Sequence, residues 1–454
     1  MTPGARVLAA IELLAEIAAT PRPADAVASA YFRARRFIGA KDRSAVAEMV
    51  YAVLRCHARL GWWLQHCDFS SPEDVRARVI AHAILAEGRR ASSVERLFEG
   101  GRYNPDPFTA AEARLAQDLD QHTLERPDMP EAVRVECPEW AEPGLRRSLG
   151  GRFGVELAAL TGPAPLDLRV NSLRAGRDDV LAGLASVGVQ ARACRLSPLG
   201  LRLDGRPAIA GLELFRSGAI EIQDEGSQLV ALLADARPGQ QVVDFCAGAG
   251  GKALAMAAVM NNRGRLIACD VLGNRLKRAA ERFRRAGLHN IETRPLSSAR
   301  DPWVKRHKAM FDRVLVDAPC TGTGTWRRNP DARWRPLGPG LVELVRLQAE
   351  ILDSAARLVK RGGRLIYATC SLLAEENEDQ MTSFLAAHPD FTPLPLAELW
   401  PATIGGPSPL DGPWLRLTPA RHETDGFFAA VLVRGGEGVA TGASGGTESV
   451  GADN

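Results

Sequence analysis

No CxxC pair occurs among the eight cysteines (Cys56, Cys67, Cys137, Cys194, Cys246, Cys269, Cys320 and Cys370) of this 454-residue chain. Scattered so widely, they supply neither a disulfide framework nor a common zinc spacing, so no metal is expected and the compartment reads as reducing. No uninterrupted apolar run approaches the roughly 18 residues of a membrane span. The apolar start MTPGARVLAAIELLAEIAAT is broken by Glu12 and Glu16 at helical spacing, which marks an amphipathic helix and not a signal peptide. A soluble, cytoplasmic protein without a membrane partner is expected. A large charge excess is also lacking: the formal net charge is +3, so any affinity for nucleic acid must come from local placement of the 57 Lys and Arg residues. Arginine greatly outnumbers lysine, which suits planar, bidentate contact with phosphate.

β-Branched alternation is scarce up to about Leu115, where apolar residues recur every three or four positions, and this predicts an all-α domain over 1–125. Within it YFRARRFIGAKDRSAVAEMVYAVLRC sets Arg33, Arg35, Arg36, Lys41, Arg43 and Arg55 beside aromatic residues, a candidate RNA-contacting face. Cys56, His57, His66 and Cys67 bracket two tryptophans but form no metal site, because adjacent residues on a helix point about 100° apart. Prolines punctuate a connector over 126–163 that runs into a short helix, and short strands with one helix predict a small α+β subdomain over 164–235. From 236 to 434 strands and helices alternate, as in an α/β domain with a doubly wound, mostly parallel sheet. The Gly/Ser/Thr-rich end, 435–454, is expected to be disordered. The fold class is therefore multi-domain, all-α followed by α+β and then α/β.

Strand QVVDF runs into CAGAGGK and a helix. Gly248, Gly250 and Gly251 let the backbone turn and approach a ligand, and Asp270, some twenty residues on at the end of the next strand, can accept ribose hydroxyls. That predicts an adenosine-containing cofactor, NAD and S-adenosylmethionine being equally compatible. The later cysteines separate the two. DAPC closes the fourth strand of the alternation and ATCS the fifth, neighbours about 5 Å apart in such sheets. Cys320 and Cys370 should then face one substrate, with Asp317 on the same rim. A thiol pair beside a methyl donor suits a pyrimidine: thiolate addition to C6 turns the ring into an enamine whose C5 takes up the methyl group. Asp317 could hold N3 or N4 of that ring. Cys246 beside the glycine loop and Cys269 within the second strand read as packing.

From PLDLRVNSLRA to DGFFAAVLVR the chain resembles the NOP/Sun family of RNA (cytosine-5) methyltransferases, and its start, with DRSAVAEMVYAVLR, resembles the NusB-like RNA-binding domain of the small-subunit rRNA branch. The resemblance implies S-adenosylmethionine as cofactor and RNA, foremost 16S rRNA, as substrate; a monomer is expected, though no motif bears on oligomeric state. It implies Cys370 as nucleophile and Cys320 as base in product release, an order the residues alone leave open. Asp317 would touch the cytosine and, with Lys252, join the catalytic group. The cofactor would be bordered by Asp244, Cys246, Ala247, Gly248, Ala249, Gly250, Gly251, Lys252, Asp270, Arg275 and Asp317. RNA would meet Arg36, Arg43 and Arg55 of the helical domain, Arg169 and Asn171 of the subdomain, and Arg327, Arg328 and Arg333 in the loop PCTGTGTWRRNPDARWR, where Trp326, Trp334 and Arg335 complete an arginine-aromatic cluster suited to phosphates and an unpaired base.

Two departures stand out. AGAGGKA replaces the family's AAPGGKT, and the acid usual after the third strand, expected at the adenine edge, is missing from ETRPLSSARD, leaving Ser297, Ser298 or Asp301 to substitute. Two other readings remain at this level: a non-catalytic RNA-binding assembly factor, and the same chemistry on tRNA or DNA.

Overall fold

The computed structural model describes residues 1–335 and 337–435, so the tail expected to be disordered lies, apart from Gly435, outside the described residues. Helices Pro3–Ala18, Ala24–Ala34, Ala40–Arg55, His57–His66, Val75–Leu85 and Ala110–Leu119 build the first domain around Leu13, Ile17, Tyr31, Val50, Leu60, Trp63 and Ile80. Their ends follow local chemistry. Thr2 accepts the Ala5 N–H ahead of a proline in the first turn, and Thr109 with Glu112 forms a reciprocal capping box.

The stretch read as a connector folds. Helices Glu131–Arg134, Glu142–Leu149 and Phe153–Ala158 gather Val135, Cys137, Leu145, Phe153, Leu157 and Leu160 into a small core that closes on Trp326, Leu372 and Leu373 of the α/β domain. Pro143 sits in the first turn of its helix, where no N–H is needed.

The subdomain is a four-stranded antiparallel sheet of β1 (Leu166–Val170), β2 (Ala191–Ala193), β3 (Gly200–Leu203) and β4 (Ile220–Ile222), ordered β2-β3-β1-β4 and covered by helix Arg177–Ser186. The larger sheet holds β5 (Gln241–Asp244), β6 (Arg265–Asp270), β7 (Ile291–Pro295), β8 (Phe311–Asp317), β9 (Val359–Thr369), β10 (Phe391–Pro393), β11 (Leu415–Leu417) and β12 (Phe427–Arg434). Its order is β10-β12-β9-β8-β5-β6-β7, with β11 on β12. β5 to β9 pair in parallel, while β10, β11 and β9 each pair antiparallel to β12. A core packs each face: Leu254, Met256 and Leu276 on one side, Val314, Leu352 and Tyr367 on the other. The chain winds outward from β5 through β6 and β7, then returns to β8 on the opposite flank. This reversal opens a crevice above the carboxyl ends of β5 and β8, the standard ligand position in such sheets.

Beyond β8 the chain crosses to the helical domain. Asp331 accepts the Ala24 N–H at 2.9 Å, Arg335 donates to the Arg22 carbonyl at 2.8 Å, and the Trp334 ring stacks on His57 with centroids 4.7 Å apart.

Candidate active site

At the crevice floor, Asp244 ends β5 with both carboxylate oxygens buried and short of partners, the Ala253 N–H being the one backbone donor turned toward them. Burial, reinforced by nearby Asp317 and partly offset by Lys252, pushes its carboxyl up to about 7. An incompletely paired buried acid beside an open cradle fits a cationic ligand. The cradle follows: Gly248, at φ +55°, has open space where a Cβ would stand and donates its N–H to Asp270 at 2.8 Å. Gly250, at φ +79°, starts helix Gly251–Val259, and a Cβ there would come within 2.6 Å of the Phe283 ring. Asp270 also accepts the Leu272 N–H at 2.7 Å, so it shapes the turn while keeping lone pairs for a diol. Ala247 is held by its N–H to the Cys269 carbonyl at 2.8 Å.

Two arginines grip this loop from outside. Arg282 donates to the Ala249 carbonyl at 2.6 Å, and Arg169 to the Gly251 carbonyl at 2.9 Å. Arg282 in turn is held by Glu221 of β4 at 3.1 Å, which ties the subdomain to the cofactor turn. Cys246 is a poor nucleophile: burial first, then the Asp244, Asp317 and Asp270 carboxylates, lift its thiol well above the ordinary range. Arg275 lies exposed near the start of helix Gly273–Ala286.

On the rim, Lys252 Nζ meets Asp317 Oδ2 at 2.6 Å. Burial opposes charge on this lysine, but Asp317 outweighs it and the ammonium is held above its ordinary range. The parallel pairing of Asp317 with Ala368 sets the ends of β8 and β9 side by side, and the sulfurs of Cys320 and Cys370 stand 3.5 Å apart. The hydrogen bond with Cys370, then burial and Glu376, raise the Cys320 thiol well above its usual range.

A brace absent from the motif reading sets this spacing. Glu376, buried, accepts the Thr321 N–H at 2.9 Å, the Thr321 hydroxyl, and the Gln348 amide at 2.9 Å. Gln348 donates also to the Pro319 carbonyl at 2.9 Å. Next in sequence, Asn377 accepts the Thr369 hydroxyl at 2.5 Å and donates to the Ser371 carbonyl at 2.9 Å. The dipeptide thus bonds the backbone just after each cysteine, at Thr321 and Ser371, and reaches the residue before each through Gln348 and the Thr369 hydroxyl. EENE is visible in the sequence, but Gln348, midway along helix Leu341–Ala356, gives no local signal.

Comparison with known proteins joins this geometry to a lineage. Residues 231–433 match the family described as 16S rRNA methyltransferase RsmB/F, and residues 137–210 match the RsmF/B-like ferredoxin-like domain. A probable ribosomal RNA small subunit methyltransferase B of Synechocystis is 34% identical over 70% of this chain and 71% of that one; the methyltransferase B of Erwinia tasmaniensis is 32% identical over 88% and 92%. The chain belongs to the RsmB/F methyltransferase family. Among solved structures, PH0851 aligns over 96% of this chain and 99% of that one with a TM-score of 0.76 and 26% identity. A methyltransferase homologue from Pyrococcus horikoshii aligns over 67% and 97% with a TM-score of 0.56 and 29% identity. S-adenosylmethionine is the cofactor of an RsmB/F methyltransferase, and the incompletely paired Asp244 and the open Gly248 turn suit its charge and its backbone approach.

Within this RsmB/F chain, several residues expected at RNA lie inside the protein. Arg169 and Asn171 are buried, the former under the cofactor loop and the latter on the Gly218 and Ala286 carbonyls at 2.9 and 3.0 Å. Arg327 is buried against Asp425 at 2.7 Å, and Arg333 against the Glu136 and Leu160 carbonyls at 2.9 and 2.7 Å. Arg328, half-buried, bonds Asp224 at 2.8 Å and Asp425. Trp326 is fully buried, so it stacks no base in this state. The arginine-aromatic loop is a tie between domains, its guanidinium forks filled by protein carbonyls and carboxylates. Arg43 points its Nε at the Ile38 carbonyl at 2.7 Å, Arg55 is half-buried, and Arg36 is exposed.

At the adenine edge, Ser297 and Ser298 are exposed, while Asp301 turns away: it accepts the Ser297 N–H at 2.8 Å and hydroxyl at 2.9 Å and caps helix Pro302–Arg306 through the Trp303 N–H at 2.8 Å. One group of potential metal ligands, Asp167, Cys194 and Glu225, is found among the described residues, and the Arg202 guanidinium fills it, 2.7 Å from Asp167. No helix among the described residues is long and apolar enough to cross a membrane.

Proposed function

We propose that this protein methylates C5 of a cytosine in small-subunit ribosomal RNA through a covalent bond from Cys370 to C6. The observation that carries this reading is the 3.5 Å approach of two sulfurs at neighbouring strand ends above Asp244, Lys252 and Asp317. A pair so placed can address one pyrimidine ring from a single side. S-adenosylmethionine, when bound, supplies an electrophilic methyl group.

Cys370 adds as thiolate to C6, and the displaced electron pair makes C5 nucleophilic. Asp317, oriented by Lys252, accepts a hydrogen bond from the cytosine amino group and steadies the ring as charge builds. After methyl transfer, C5 carries both the new group and its proton. Cys320, its own thiol proton first passed to solvent, takes that proton as thiolate from 3.5 Å beside Cys370. The electrons of the C5–H bond re-form C5=C6, and the C6–S bond breaks to return Cys370. The Glu376–Asn377 brace keeps both loops in register through these steps.

The test uses an unmodified small-subunit rRNA transcript and the full chain. Cys370→Ala should give neither methyl transfer nor a covalent complex, and Cys320→Ala should accumulate a denaturation-resistant protein–RNA adduct. Normal product from the Cys370 variant would overturn the reading.

A further inference from the structure

The turn between helices Ala24–Ala34 and Ala40–Arg55 carries Phe37, 81% exposed and the most exposed of the large apolar residues described. Its presentation is fixed. Ile38 is buried in the domain core and its N–H bonds the Arg35 carbonyl at 3.0 Å. Arg43 reaches back to the Ile38 carbonyl at 2.7 Å, and Arg35 lies 3.6 Å over the Tyr31 ring while pairing with Glu16 at 3.2 Å. With its neighbours anchored on both sides, Phe37 stands outward on a rigid turn.

Beside it the acids Glu12 and Glu16 are taken up by Arg35, which leaves the neighbouring cations in excess. Arg36 and Lys41 are exposed and no described side chain pairs with them; Arg33 bonds only Ser29, at 3.1 Å. The nearest acid in sequence, Asp42, is occupied by the Met1 amino group at 3.0 Å and by Arg6 at 2.8 Å. A lone, held aromatic ring among unpaired cations matches the demands of single-stranded RNA: a face for a base and charges for the flanking phosphates.

Resting on the RNA substrate argued above, we propose that Phe37, with Arg33, Arg36 and Lys41, is a second RNA contact that stacks one unpaired base away from the methylated cytosine. Helix Ala40–Arg55 sets the turn apart from the α/β domain. It runs from this turn to the loop Pro330–Arg333 of the catalytic domain, about 24 Å for its 16 residues. The contact therefore reads a flank of the target.

The test measures binding of the full chain to an unmodified small-subunit rRNA transcript and to a fully paired RNA duplex, across a salt series. Phe37→Ala should weaken transcript binding about 5- to 150-fold without changing the salt slope, because stacking neutralises no phosphate. Phe37→Trp should keep the affinity. Arg36→Gln and Lys41→Gln should each flatten the slope by about 0.7. Unchanged S-adenosylmethionine affinity in every variant shows that the fold is intact. If wild type binds and methylates the transcript while Phe37→Ala binds it equally well, or if the loss is the same on the duplex, this inference fails alone. A wild-type chain that does not bind the transcript overturns the substrate reading as well.

Discussion

Asp244 gives a prediction that can be worked to a number. Its carboxyl is pushed from an ordinary 3.8 up to about 7, by burial first and then by Asp317, against the pull of Lys252. The ligand-free fold therefore keeps a proton that the unfolded chain releases. The contribution of Asp244 to stability is fully present below about pH 4, is lost as pH climbs toward 7, and then levels off, a change of at most about 4 kcal/mol at 1.36 kcal/mol per pH unit. A cationic cofactor prefers the ionised acid, so binding should expel a proton below pH 7. If only the ionised form binds, the dissociation constant for S-adenosylmethionine falls about tenfold from pH 6 to pH 8. Calorimetry in two buffers of different ionisation enthalpy counts the proton directly. Asp244→Asn should bind weakly and lose this proton release; any release that persists then belongs to the cofactor's own amino group, which titrates near pH 8. Equal proton release by wild type and Asp244→Asn, or a wild-type affinity flat from pH 6 to pH 8, would refute the argument.

Glu376→Gln replaces the oxygen that takes the Thr321 hydroxyl with an amide N–H and removes the charge from the bonds to the Thr321 N–H and Gln348, so the Cys320 loop loosens; single-turnover methylation should slow about ten- to a hundredfold while cofactor affinity holds. Arg169→Ala leaves the Gly251 carbonyl without its partner at the start of the cofactor helix. It should cost about 1–3 kcal/mol of stability, measured by denaturant titration, and weaken S-adenosylmethionine binding without altering the salt slope of RNA binding, whereas an RNA-contacting arginine would flatten that slope.

How legible the site was depended on how local its causes are. The sheet, the glycine turn and the adjacency of Cys320 and Cys370 follow from strand order and from motifs that each span a few residues. The fate of Arg327, Arg328 and Arg333 does not, because Asp425, Asp224 and Glu136, about a hundred or more residues away, decide whether those forks face water. Composition shows that an arginine cluster exists and is silent on which side of the surface it lies. The connector hid its helices for a related reason. Its apolar residues need Trp326 and Leu373 to close their core, and no window of sequence contains both partners.

The crossing that sets Asp331, Trp334 and Arg335 on the helical half bears on how such a protein could change over generations. A lineage that shed its first domain would lose the partners of Asp331, Trp334 and Arg335 and would leave an indole and a guanidinium in water on the loop that follows Cys320. Losing or replacing that half is thus coupled to rewriting this one segment, and the two should be inherited together.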